Sequence, residues 1–128
     1  DDYAHHPEEI NKVFDSLKNI YPNDKLTVIF QPHLYSRTRD LAEDFATALS
    51  QFDAVILLEI YPAREIPIKG ISSEWLLEKI DSNYKTISRK SDISDHIKNI
   101  AYRVNITLGA GDIANEVEHI KQELEYAY

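Results

Sequence analysis

The feature that most constrains this chain is the alternation of short, continuous apolar runs with stripes of helical period. Leu26, Thr27, Val28, Ile29 and Phe30 form one run, and Ala54, Val55, Ile56, Leu57 and Leu58 form another. Neither alternates apolar with polar residues, so both read as strands buried on two faces. The segment 105–108 is a further strand that runs directly into Gly109-Ala110-Gly111-Asp112, and 84–88 is a weaker one. Helical stripes lie between them. Ile10, Val13, Phe14, Leu17 and Ile20 follow Pro7, a residue suited to a first helical turn. Leu41, Phe45, Leu49 and Phe52 share one face of a second helix, and Ser72-Ser73-Glu74 opens a third ahead of Leu76, Leu77 and Ile80. Ser91-Asp92 opens a fourth with Ile93, Ile97, Ile100 and Val104, while Ile113, Val117, Ile120 and Leu124 mark a fifth. Parallel strands need long crossovers between them, and the stripes supply these. The expected fold is α/β: a three-layer, Rossmann-like open sheet, mostly parallel, with helices on both faces.

The chain of 128 residues has no repeat, low-complexity tract or internal linker, so residues 1–128 are expected to form a single domain. Lys and Arg number 14 against 22 Asp and Glu, a formal net charge of -8. Neutralising phosphates would need a basic face, so neither nucleic acid nor an anionic membrane is an expected partner. Cysteine is absent, which removes disulfides, thiolate metal sites and cysteine nucleophiles and fits a cytoplasmic protein. The apolar runs fall far short of the roughly 20 residues that span a bilayer, so no membrane insertion is expected. The first residues are Asp1-Asp2 and no Met occurs anywhere, so the expectation is a domain of a longer chain.

Open α/β sheets bind ligands beyond the carboxyl ends of their strands. Three strands here end in polar clusters: Gln31-Pro32-His33, the segment 59–65, and Gly109-Ala110-Gly111-Asp112. After the first, Ser36-Arg37-Thr38-Arg39-Asp40 begins a helix whose free N–H groups and two guanidinium groups suit a carboxylate or phosphate. The same residues also read as an ordinary helix start, with Ser36 a cap, Asp40 a first-turn acid and both arginines in solvent. Glu59, Tyr61, Arg64 and Glu65 read equally as a surface ion-pair cluster. Asp1-Asp2-Tyr3-Ala4-His5-His6-Pro7 gathers two carboxylates, a phenol and two imidazoles. A divalent metal site, an acid–base cluster and a frayed helix entry all remain open there. Gly109-x-Gly111 lacks the third glycine of a dinucleotide fingerprint and also reads as a tight turn capped by Asp112. No Gly-x-x-x-x-Gly-Lys-Ser/Thr phosphate loop and no Gly-x-Ser-x-Gly elbow occurs, so chemistry on a nucleotide requires residues from outside this chain.

Asp-Asp-Tyr-Ala-His-His-Pro at 1–7 and Phe-Gln-Pro-His-Leu-Tyr-Ser-Arg-Thr-Arg-Asp at 30–40 resemble the carboxyl-terminal domain of the Mur ligases. Glu-Ile-Tyr-Pro-Ala-Arg-Glu at 59–65 and Gly-Ala-Gly-Asp-Ile at 109–113 match the remaining blocks of that domain in the same order. The resemblance covers nearly the whole chain and implies a Rossmann-like third domain. It places the phosphate loop in a central domain and the UDP-sugar site in the first. It also implies an ATP-dependent ligase of peptidoglycan precursor synthesis in the bacterial cytoplasm, of which this domain alone is expected to be inactive. In such an enzyme ATP converts a muramate carboxylate to an acyl phosphate, which an amine then attacks. Within the family, the Gln-Pro-His-x-Tyr-x-Arg block resembles members that join L-alanine to UDP-N-acetylmuramate, ahead of sister members that attach a preformed tripeptide.

By that resemblance, Asp2 and Tyr3 lie against the ribose and adenine of ATP, with Tyr3 also bordering the substrate. His5 points toward the reacting centre as the catalytic residue. His33 and Arg37 line the L-alanine site, Arg37 pairing the α-carboxylate in the fork geometry that arginine permits. Arg39 is a second contributor. Family members often carry arginine where this chain has Leu34. Mg2+ is expected on the central domain and the phosphates, so no metal ligand is expected here. Two readings from other classes stay open: a phospho-receiver domain, which is also a small acidic α/β fold, and a non-catalytic small-molecule-binding domain.

Overall fold

The fold is that of a computed structural model in which residues 6–109 are described. The expected fifth helix and the residues 1–5 lie outside them. Helix α1, Pro7–Ile20, begins with Pro7 in its first turn and Glu8 and Glu9 at its electropositive end. Strand β1, Leu26–Gln31, is buried along its whole length, as is β2, Ala54–Leu57. Between them lie α2, Tyr35–Asp40, and α3, Ala42–Leu49. Helix α4, Ser73–Glu78, starts where the sequence indicates, with the Ser72 hydroxyl accepting the Trp75 N–H at 3.1 Å. Strand β3, Tyr84–Ile87, leads through a 3-10 turn, Lys90–Asp92, into α5, Ile93–Ile100, and then β4, Val104–Gly109.

Two expectations of helix extent are corrected. The second helix is two short helices that meet at Leu41, and Phe52 lies beyond both in the turn into β2, still fully buried. Val104 is not in the fourth helix but opens β4, because Ala101 adopts a left-handed conformation (φ 60°) that ends α5. Val104 fits both patterns, lying four residues after Ile100 and two before Ile106. Periodicity alone could not separate them.

The four strands are parallel, in the order β3-β2-β1-β4. The two-residue period of each strand divides the core. Val28, Phe30, Val55 and Leu57 meet Ile10 of α1, Phe45 and Leu49 of α3 and Leu76 of α4. On the opposite face Ile29, Ile56 and Leu58 meet Ile93 and Ile97 of α5. Right-handed crossovers account for the division: β1 to β2 to β3 progresses one way, whereas β3 to β4 returns past β1 and carries its helix over the other face. The strand order also removes the phospho-receiver reading. In that arrangement β3 neighbours β1, whereas here it lies outside β2. The reversal of direction between β1 and β4 creates a topological switch point. Among the described residues no helix is long and apolar enough to cross a membrane.

Candidate functional site

The switch point sets the ends of β1 and β4 side by side, with Gln31 paired to Gly109. Gly109 has a φ of +125°, and a Cβ there would meet the Gln31 carbonyl oxygen at 2.5 Å. Glycine is what lets the two backbones close. Beyond Gln31 the chain turns through Pro32 and His33 into α2, and the segment 59–65 after β2 straps this turn. The Tyr61 N–H donates to the Pro32 carbonyl at 2.8 Å, and the Leu34 N–H donates to the Tyr61 carbonyl at 2.9 Å. The rings of His33 and Tyr61 stack, with centroids 5.7 Å apart and planes inclined by 20°.

His33, just ahead of α2, and Arg37, within it, are half-buried and four residues apart, and Arg37 Nη1 lies 3.0 Å from His33 Nδ1. A guanidinium has no acceptor, so this contact needs the lone pair on Nδ1 and puts the ring proton on Nε2. Leu34, between the two, has a φ of 72°, a conformation that a branched side chain rarely adopts. Such a residue costs about 1–3 kcal/mol and persists only where its surroundings over-determine it. Here its N–H goes to Tyr61, while its carbonyl accepts the Thr38 N–H at 3.2 Å and the buried Thr38 hydroxyl at 2.8 Å.

The first turn of α2 differs from expectation. Ser36 is not its cap: Leu34 holds that position and offers no side-chain hydrogen bond. The Glu65 carboxylate accepts the Ser36 N–H at 3.1 Å and also the Ser36 hydroxyl. Hydrogen bonding from Ser36 holds the Glu65 carboxyl below the usual glutamate range. The helix start that looked free to receive a ligand carboxylate is therefore filled by a carboxylate of this chain. Asp40 sits at the far end of α2, where its Oδ1 pairs with Arg39 Nε at 2.8 Å. That exposed pair raises the Arg39 guanidinium above, and lowers the Asp40 carboxyl below, their ordinary values.

Of the residues singled out from sequence, the structure thus brings His33 and Arg37 together and turns Arg39 to Asp40. Asp2, Tyr3 and His5 lie outside the described residues, as does Asp112. Tyr61 and Glu65, part of a polar cluster in the sequence, pack onto the same turn, Tyr61 against His33 and Glu65 against Ser36. Glu59 lies exposed two residues beyond β2, its carboxyl pushed up by partial desolvation and by nearby Glu74. Among the described residues no group of three or more His, Asp or Glu could hold a metal ion.

Residues 1–114 match the family described as Mur ligase, glutamate ligase domain. The chain belongs to that family. A UDP-N-acetylmuramate–L-alanine ligase from Christiangramia forsetii is 56% identical over 97% of this chain, which spans 27% of that protein. The chain therefore spans about a quarter of the length of the curated relatives it matches. The solved UDP-N-acetylmuramate–alanine ligase of Thermotoga maritima superimposes with a TM-score of 0.74 at 25% identity, over 100% of this chain and 26% of that one. A crystallised domain from a putative UDP-N-acetylmuramate–peptide ligase of Haemophilus ducreyi shares the fold, with a TM-score of 0.67 at 17% identity. That match covers 96% of this chain and 88% of that one, so a domain with this fold and of this extent has been crystallised.

Proposed function

We propose that this Mur ligase domain is the third, carboxyl-terminal domain of an ATP-dependent enzyme that joins L-alanine to UDP-N-acetylmuramate. It contributes the L-alanine pocket and part of the adenosine site. The observation that carries this reading is the Arg37–His33 pair: a guanidinium and a neutral imidazole in contact at 3.0 Å, on the first residues beyond β1. Arg37 meets the amino-acid carboxylate as a fork, and the Nε2–H of His33 is a second donor. Because Glu65 already fills the first turn of α2, side chains recognise the substrate carboxylate and the helix N–H groups do not.

The chemistry follows from what the carboxylate clamp orients. The γ-phosphoryl of ATP passes to the muramate carboxylate, leaving ADP and an acyl phosphate. The alanine amine attacks that carbonyl, and the tetrahedral intermediate expels phosphate as the amide forms. The acyl phosphate is already activated, so the pocket acts mainly by holding the amine in line with the carbonyl. In the same reading His5 stands nearest the reacting centre, Asp2 and Tyr3 border the nucleotide, and Arg39 is an outer contributor. Mg2+, when bound, neutralises charge on the phosphates; the described residues provide no ligand set for it. ATP and a UDP-sugar place the enzyme in the bacterial cytoplasm.

The test is kinetic, in the intact ligase. Arg37→Ala should raise KM for L-alanine far more than KM for ATP, and equal changes would reduce Arg37 to a structural role. A screen of L-alanine against a preformed tripeptide, read as phosphate release, separates this enzyme from its sister ligases.

A further inference from the structure

We propose that Tyr61 and Glu65 are positioning residues of the amino-acid site, making the segment 59–65 a strap that fixes the geometry in which His33 and Arg37 meet a carboxylate. This rests on the reading of that pair as the amino-acid clamp. His33 and Arg37 are only half-buried, and an arginine on a short helix beyond the sheet has many rotamers of similar energy. Three constraints narrow them, and all come from the connection after β2. The Tyr61 backbone bridges to Pro32 and Leu34, holding the turn that launches α2. The Tyr61 ring stacks on the His33 ring and limits its rotation, which keeps Nδ1 where Arg37 Nη1 can donate to it. Glu65 ties down Ser36, the residue before Arg37, through both its N–H and its hydroxyl. Neither Tyr61 nor Glu65 needs to touch the substrate to do this.

The strap has a kinetic signature. In the intact ligase Tyr61→Ala should raise KM for L-alanine about 2- to 10-fold, the range of a stacked aromatic pair, with KM for ATP unchanged. Tyr61→Phe keeps the ring and should restore the wild-type value. In a His33→Ala background, Tyr61→Ala should add nothing, because its route to the substrate has gone. Glu65→Gln should raise the same KM, and that rise should vanish in an Arg37→Ala background. Thermal midpoints identify any variant that fails to fold; for Tyr61→Ala the substitute is Tyr61→Leu, which keeps bulk and carries the same expectation. Multiplying effects in the double variants, or Tyr61→Phe as impaired as Tyr61→Ala, would overturn the proposal. If His33→Ala and Arg37→Ala leave KM for L-alanine unmoved, the clamp reading fails and the strap with it. If those two raise it while Tyr61→Ala and Glu65→Gln do not, the strap alone fails.

Discussion

Replacing Gly109 by alanine probes the close approach of β4 to β1 in the candidate site. The added Cβ would stand 2.5 Å from the Gln31 carbonyl oxygen and 3.2 Å from the Gln31 nitrogen, both backbone atoms of a central strand. Neither can swing aside as a side chain would, so β1 and β4 must separate locally, an overpacking cost of about 1–3 kcal/mol. The φ of +125° adds backbone strain of about 1–3 kcal/mol for any residue with a Cβ. Together these remove roughly 2–6 kcal/mol from a domain whose total stability is of order 5–15 kcal/mol. With a urea dependence of about 2 kcal/mol per molar, the unfolding midpoint should fall by about 1–3 M. The assay is equilibrium urea unfolding of the 128-residue chain, followed by far-ultraviolet circular dichroism and by the fluorescence of Trp75, its single tryptophan. Gly70→Ala is the control: Gly70 has a φ of +85°, yet a Cβ there meets nothing within 4 Å, so it reports strain without the clash. A Gly109→Ala variant no less stable than Gly70→Ala would refute the close approach of β4 to β1.

Loss of Arg37 should cost about 2–3 kcal/mol of L-alanine recognition, a KM increase of roughly 30- to 150-fold, with Arg37→Lys recovering part of it because a point charge cannot reproduce the fork. The 128-residue chain alone should unfold cooperatively, yet calorimetric titration with ATP, Mg2+ and L-alanine should give no binding below millimolar concentrations. Micromolar ATP binding by this chain would show a self-sufficient nucleotide site and defeat the domain assignment. Acid should selectively weaken the Glu65 cap. Its folded carboxyl titrates below the ordinary unfolded value of about 4.3, so its contribution is complete above that value and is lost as pH falls through the folded one. The difference in urea midpoint between the parent chain and Glu65→Gln should therefore shrink between pH 7 and pH 3, and a constant difference would contradict the cap.

Much of this domain is legible in one dimension because the forces involved are local. Uninterrupted apolar runs mark β1 and β2 since both their faces are covered, and Ser72 announces α4 through a hydrogen bond three residues long. His33 and Arg37 stood out separately, as a polar residue after a buried strand and a cation near a helix start, and their contact at 3.0 Å spans only four positions. Local pattern ran out at Leu41 and Val104, where a break and a change of period leave no distinct residue signature. The order of the strands belongs wholly to tertiary structure. No residue of β4 says that it pairs with β1, yet that pairing makes the switch point and demands glycine at 109. Tyr61 and Glu65 were ambiguous for the same reason. The Glu65 contact spans 29 positions and exists because parallel pairing of β1 with β2 brings their following loops together. A sequence can show which side chains are suited to a site, but a crevice shared by two crossovers forms only when the sheet fixes their distance.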